Sequence, residues 1–355
     1  PSQRTEARAD RRSVAGTLTP KPSDRHYLSV RFATLVPQAQ MATSAQSQPH
    51  ESPPRIIQGG MGVAISGWEL ANAVGRRGEM GVVSGTVLEV VMARRLQLGD
   101  PGGHVRRALS HFPFRSVAAR IVDNYYAPPE GAATRQLKNV RTFTIDPDMS
   151  LQELTVAANF VEVFLAKEGH DGLVGINYLR KVELPMPFAI YGAMLAGVDF
   201  VIVGAGNPQD IPPLMTQLAR NEKVSLPLRV QGLTSKDEAV AVEFDPGDIH
   251  EGAPPQIARP ACLGIVASTD LAEALAALPD APDGFIVEAP SAGGHNAPPR
   301  GPRRTDDLGQ PVYDERDEVD LERLADIGLP FWLAGSYGTP SGLAQALRDG
   351  AAGVQ

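Results

Sequence analysis

A parallel α/β barrel is the fold this chain predicts, and three patterns point to it. From residue 55 onward, short β-branched runs alternate with helical patterns, as in repeated βα units. The runs number eight, at 55–58, 80–84, 173–177, 198–203, 261–267, 284–288, 330–334 and 353–355, which is the strand count of a (β/α)8 TIM barrel. Several runs end on glycines, at the strand ends where barrels keep their chemistry. The alternation by itself fits a doubly wound open sheet equally well.

Taken in order, residues 1–54 are polar, rich in Ser, Gln, Arg and Pro, and too poor in apolar residues to offset their ordering entropy. They read as a disordered leader preceding a barrel over 55–355. Glu6, Asp10 and Asp24 depart from the acid-poor composition of a transit peptide, and Met41 offers a later start of translation. The first strand runs into Gly59-Gly60-Met61-Gly62. Ser66-Gly67-Trp68-Glu69 then has capping-box spacing and predicts a helix over 67–77. An insertion near 86–150 carries Tyr125-Tyr126, placed to cover part of a site. Residues 188–206 are broken by Asp199 and glycines, so they read as a helix followed by a strand rather than a membrane span. A second insertion near 226–258 opens with hairpin-like alternation over 226–243. Ser268 and Thr269 before Leu271, and Thr339-Pro340 with Gly350 beyond, mark two further capped helices.

Bulk properties narrow the function. With 43% hydrophobic and 21% charged residues the chain can bury a large core. A formal net charge of -8 gives no general attraction to nucleic acid. The single Cys262 cannot form an internal disulfide and lies inside a predicted strand as a small apolar residue. A cytoplasmic location is expected. His26, His50, His104, His111, His170 and His250 lack metal-ligand spacing, so no metal site is assigned.

Strand-end glycines are the strongest functional signal. They recur at Gly59-Gly60, Gly204-Ala205-Gly206, Gly293-Gly294 and Gly335, and Asn177 ends another strand. Such loops let a planar or phosphorylated ligand approach the backbone. Gly335 to Gly338, ahead of a capped helix, is the best phosphate candidate. His295, after two glycines at a strand end, is placed for proton transfer near neutrality. The charged stretch 306–317 reads mainly as a solvated lid or loop, with substrate gating as the lesser alternative.

These residues resemble the nitronate monooxygenases, also called 2-nitropropane dioxygenases, and the related FMN-dependent enoyl-acyl-carrier-protein reductases. The resemblance runs in order through Ile56-Ile-Gln-Gly-Gly-Met61, Gly175-Ile-Asn177, Gly204-Ala-Gly-Asn-Pro208 and Ala292-Gly-Gly-His295. It implies an FMN-binding barrel oxidising alkyl nitronates with dioxygen to a carbonyl compound and nitrite. By resemblance His295 is the catalytic acid or base, and Gly60, Met61, Asn177, Glu288, Gly293, Gly294, Gly335, Ser336 and Gln355 are the cofactor-binding set. Within that set Asn177 bonds the flavin, and Gly335 with Ser336 holds its phosphate. Three departures bear on the substrate: Glu288 stands where many members have Gln, Ser336-Tyr337 replaces Gly-Ile, and Asn296 follows the histidine. The family pattern also continues beyond Gln355, so strand eight is expected to be incomplete: either the chain is a fragment, or its barrel is unclosed and leaves an exposed sheet edge. Rival readings on the same scaffold are an enoyl reductase fed by a reduced nicotinamide, and an inactive fragment acting through partners.

Overall fold

The protein is described from a computed structural model covering residues 53–60, 62–130, 134–230, 232, 239–292, 297–302 and 304–355. All of the expected leader except Pro53 and Pro54 therefore lies outside the described residues. The strands in chain order are β1 (Gly81–Ser84), β2 (Val174–Leu179), β3 (Phe200–Gly204), β4 (Val224–Pro227), β5 (Ala241–Phe244), β6 (Ala261–Val266), β7 (Gly284–Glu288), β8 (Phe331–Ala334) and β9 (Gly353–Val354). Seven of them pair in parallel in the order β1-β2-β3-β6-β7-β8-β9, and β4 and β5 form a separate antiparallel hairpin.

Ile56 and Ile57 close the ring. Ile57 N donates to Val354 O at 2.8 Å and Val354 N to Arg55 O at 2.9 Å; on the other side Gln58 N donates to Met80 O at 3.0 Å and Met80 N to Ile56 O at 3.1 Å. The short segment thus acts as the eighth strand, bridging β9 to the run into β1. β9 is as short as an incomplete strand eight should be, and of the two alternatives raised by that shortness the exposed edge is not the one seen, since this pairing covers it. Two residues of β9 suffice because β8 is bonded on one side and the leading segment on the other.

Helices fill the connections as a parallel sheet requires. α1 (Trp68–Gly75) precedes β1; α2 (Leu88–Gln97), α3 (His104–Leu109), α4 (Arg115–Tyr125) and α5 (Met149–Lys167) lie between β1 and β2. The segment read as an insertion therefore holds three helices, α2 to α4, and ends where α5 begins. α6 (Met186–Leu195), α7 (Ile211–Ala219), α8 (Thr269–Ala276), α9 (Leu321–Asp326) and α10 (Pro340–Arg348) follow one per crossover. Among the described residues no helix is long and apolar enough to cross a membrane.

Side chains alternate across the sheet and divide the core into two layers. Ile57, Met80, Val82, Leu173, Ile202, Leu263, Ile286, Trp332 and Ala334 fill the barrel interior. Their neighbours Val83, Val174, Val201, Phe285 and Leu333 face the helices. Trp332 is buried in the interior and its Nε1 donates to Pro54 O at 2.7 Å, giving the indole its one polar partner. α5 is buried nearly all round, wedged among α1, α2, α3 and α6. Its polar residues are accordingly paired: Asn159 Oδ1 accepts from Tyr178 Oη at 2.9 Å, and Glu162 binds Arg95.

Caps at Ser268 and Thr339 form as expected, accepting from Leu271 N and Gly342 N. The capping box at 66–69 does not form. Gly67 is the N-cap of α1, Ser66 Oγ donates instead to Gly59 O at 3.1 Å, and the helix amide of Trp68 is satisfied by Glu162 Oε1 at 2.8 Å. Ser66 is committed to the glycine loop, and the buried carboxylate on α5 takes over its capping task.

Candidate active site

Inward positions recur every second residue along a strand, so Ser84 follows Met80 and Val82, and Asn177 follows Leu173 and Gly175. Ser84 and Asn177 stand side by side in the register of β1 and β2, each only 2% exposed. An apolar barrel interior is thereby topped by a polar layer at the C-terminal mouth. Gly60 lies directly on it. A Cβ at Gly60 would sit 2.9 Å from Val82 Cβ, closer still to Val82 Cγ1, and 3.4 Å from Asn177 Cβ, so only glycine fits. The loop is held there by Ser84 N donating to Ser66 O at 2.9 Å. Gln58 Oε1 also accepts from Val82 N at 3.0 Å, replacing a rung of the ladder after the backbone has turned away. Ser84 Oγ itself has no hydrogen-bond partner among the described residues.

A second group of residues lies across the mouth, where β7 and β8 end. Gly335 has φ 106° and Ser336 φ 61°, two successive residues in the left-handed region that turn the chain sharply ahead of α10. A Cβ at Gly335 would meet Ala292 N at 2.8 Å and Ser291 Oγ at 3.0 Å, so the loops after β7 and β8 pack backbone to backbone. The amides of Gly335, Ser336 and Tyr337 donate to no group among the described residues. They border a groove of about 490 Å3 that also includes Ser291, Thr339 and Ser341 and is lined by no carboxylate. α10 begins at its floor, adding the positive end of a helix dipole.

Backbone strain gathers at the same end of the barrel. Ala64, Val87, Ala205 and Ser336, on loops leaving the leading segment, β1, β3 and β8, all have φ between 55° and 61°. For the β-branched Val87 this is a conformation of real cost.

Glu288 closes β7, half-buried, and its carboxyl pKa is raised by burial, with a hydrogen bond from the Ala297 amide pulling the other way. It faces a small cavity of about 30 Å3, room for one water, shared with Arg300, Tyr313 and Asp317. The charged stretch expected to be solvated is partly tied down here. Buried Asp317 accepts from Arg300 N at 2.7 Å and Asp314 N at 2.9 Å, Tyr313 Oη donates to Ala297 O at 3.0 Å, and Arg300 Nη2 donates to Ala267 O beyond β6. Residues 306–310 remain exposed, as expected.

Of the residues singled out in the sequence, the structure thus joins Gly60 with Asn177 and places Gly335 with Ser336 across from them. Gln355 flanks the latter, its N–H donating to Leu333 O at 3.0 Å. Glu288 borders a separate cavity that meets the groove at Ala289. Met61, Gly293, Gly294 and His295 lie outside the described residues. Ser84 was not singled out; the signal was its place two residues beyond Val82, just ahead of Gly85 at a strand end. The remaining described histidines have structural partners: His104 packs on Trp68, His111 on Phe164, His170 bonds Ala166 O, and His250 bonds Tyr191 Oη. Cys262 is fully buried and burial pushes its thiol up to about 12, leaving it inert.

No protein-family model matches this chain, and no curated protein does. Among solved structures, the FabK (M276A) mutant from Thermotoga maritima is similar over 86% of this chain and 61% of its own, at 16% identity and a TM-score of 0.41. This chain therefore spans less than two thirds of that one. The barrel assignment rests on the strand pairing and its closure.

Proposed function

We propose that this barrel binds FMN across its C-terminal mouth and oxidises alkyl nitronates with dioxygen, releasing a carbonyl compound and nitrite. The observation that carries the reading is that the amides of Gly335, Ser336 and Tyr337 donate to no group among the described residues, at residues that line a groove bordered by no carboxylate. Neutral N–H donors at a helix start suit a phosphate monoester. The polar layer opposite, with Gly60 pressed against Val82 and Asn177, offers a wall for a flat ring.

FMN, when bound, supplies two-electron redox chemistry and reactivity toward dioxygen. The chain's own residues do the rest. Gly335 and Ser336 anchor the phosphate, and Gly60 and Asn177 position the ring. His295 removes the proton α to the nitro group when the neutral nitroalkane is presented. Burial raises the Glu288 carboxyl pKa above its ordinary value, while the hydrogen bond from the Ala297 amide pulls it the other way.

The test begins with the absorbance spectrum of the purified protein after incubation with FMN, followed by nitrite release from a nitronate. Bound flavin with nitrite production supports the reading. Rapid flavin bleaching by NADH without oxygen, and no nitrite, would favour the reductase. His295→Ala is expected to keep FMN and lose about 100-fold or more in turnover; unchanged turnover would end that residue's assigned role.

A further inference from the structure

We propose that Ser84 is a ligand-binding residue, its hydroxyl hydrogen-bonding the heteroatom edge of the planar ring held at the barrel mouth. This rests on the flavin reading above and adds a contact that reading did not contain. Three observations lead to it. Ser84 Oγ is buried in a residue only 2% exposed, yet no group among the described residues satisfies it. A hydroxyl removed from water without a partner is costly, and proteins keep few of them without a use. Its direction is set by the strand: Val82, two residues before, belongs to the barrel interior, whereas Val83 faces the helices.

The surroundings fit a ligand better than a packing role. Register sets Ser84 beside Asn177, so a hydroxyl and a carboxamide stand together on one wall. Such a pair matches a ring edge on which carbonyl oxygens and N–H groups alternate. Around the ring of strands, β1 and β8 are separated by β9 and the leading segment, so the Gly335–Ser336 amides lie across the mouth from Ser84. An anionic group at one rim and a polar heteroaromatic edge at the other describe one elongated ligand. The strained Val87, three residues on, keeps α2 from drawing the hydroxyl into an N-cap: Val87 is itself the N-cap, and no side chain caps that helix.

The experiment uses the full chain and two probes, FMN and riboflavin, titrated by quenching of flavin fluorescence, with urea unfolding of the ligand-free protein in parallel. Ser84→Ala should unfold at the same or higher urea concentration than wild type, because it removes an unsatisfied group. It should weaken both flavins by a similar factor, about two- to tenfold for one hydrogen bond. Equal weakening places the contact on the ring, since riboflavin lacks the phosphate. Should Ser84→Ala unfold early, Ser84→Cys, close in shape with a weak donor, replaces it in the titration. Wild-type affinity in a folded Ser84 variant overturns the role of Ser84 while leaving the flavin site intact. Failure of the wild type to bind either flavin overturns the flavin reading and the Ser84 contact with it.

Discussion

Replacing Gly60 by Ala, with Gly59→Ala as its partner, tests whether the glycine loop is fitted to the barrel or merely bends. At Gly60 an added Cβ falls 2.9 Å from Val82 Cβ. Carbon atoms settle at about 3.5–4.0 Å, so something must move by at least about 0.6 Å. Val82 has no room to give: it is fully buried in the barrel interior, and its Cβ is fixed by a strand paired on both sides. Overpacking of this kind costs about 1–3 kcal/mol. At Gly59 the same methyl meets nothing within 4 Å, and the change should lie within about 0.5 kcal/mol of wild type. Equilibrium urea unfolding of both variants measures the difference. Val82→Ala in the Gly60→Ala background should recover part of the loss, since it removes Cγ1, the nearer clash. Equal stability of the two single variants would refute the close approach of this loop to β1.

Two further outcomes follow from the same structure. Arg180, 1% exposed, binds Glu183, Asp210 at 2.9 Å and Pro227 O at 3.1 Å, clamping the loops after β2 and β3 to the hairpin; Arg180→Met should cost about 3–5 kcal/mol in urea unfolding and speed amide exchange in β4 and β5, and a loss below about 1 kcal/mol would argue against the clamp. His250 is held below its usual pKa mainly by burial, with the charge of Asp245 opposing; the unfolded chain, titrating near ~6.5, then binds more protons than the folded one below that pH, so this contribution is complete above about pH 6.5 and declines as pH falls toward the folded value. His250→Phe should flatten that part of the slope in unfolding midpoints taken from pH 5 to 7.5, while Tyr191 Oη keeps its bond to Asn221.

The eight apolar runs were legible because each is a local pattern, and each falls on a strand or on the bridging segment. Closure was not legible. The bonds joining Arg55, Ile56 and Ile57 to Val354 link opposite ends of the barrel, and nothing local at 353–355 reveals that so short a strand has a partner on each side. The failed capping box has a similar cause: Ser66 had the right spacing, but Gly59 O and Glu162 competed for the same groups from afar.

Within the site, conformation was easier to read than company. Gly335 and Ser336 announced a turn before a capped helix, and their left-handed φ values bear that out. Ser84 gave no such notice, because a serine at a strand end is ordinary until its register with Asn177, and the lack of a partner for its hydroxyl among the described residues, are known. Glu288 shows the same limit from the side of charge. Its letter shows only a carboxyl, but the cavity it shares with Ala297, Arg300 and Asp317 half-buries it, and burial raises its pKa. A polar residue's role at this barrel mouth is thus set by which distant loop covers it, while the glycines that admit a ligand are set by their own backbone.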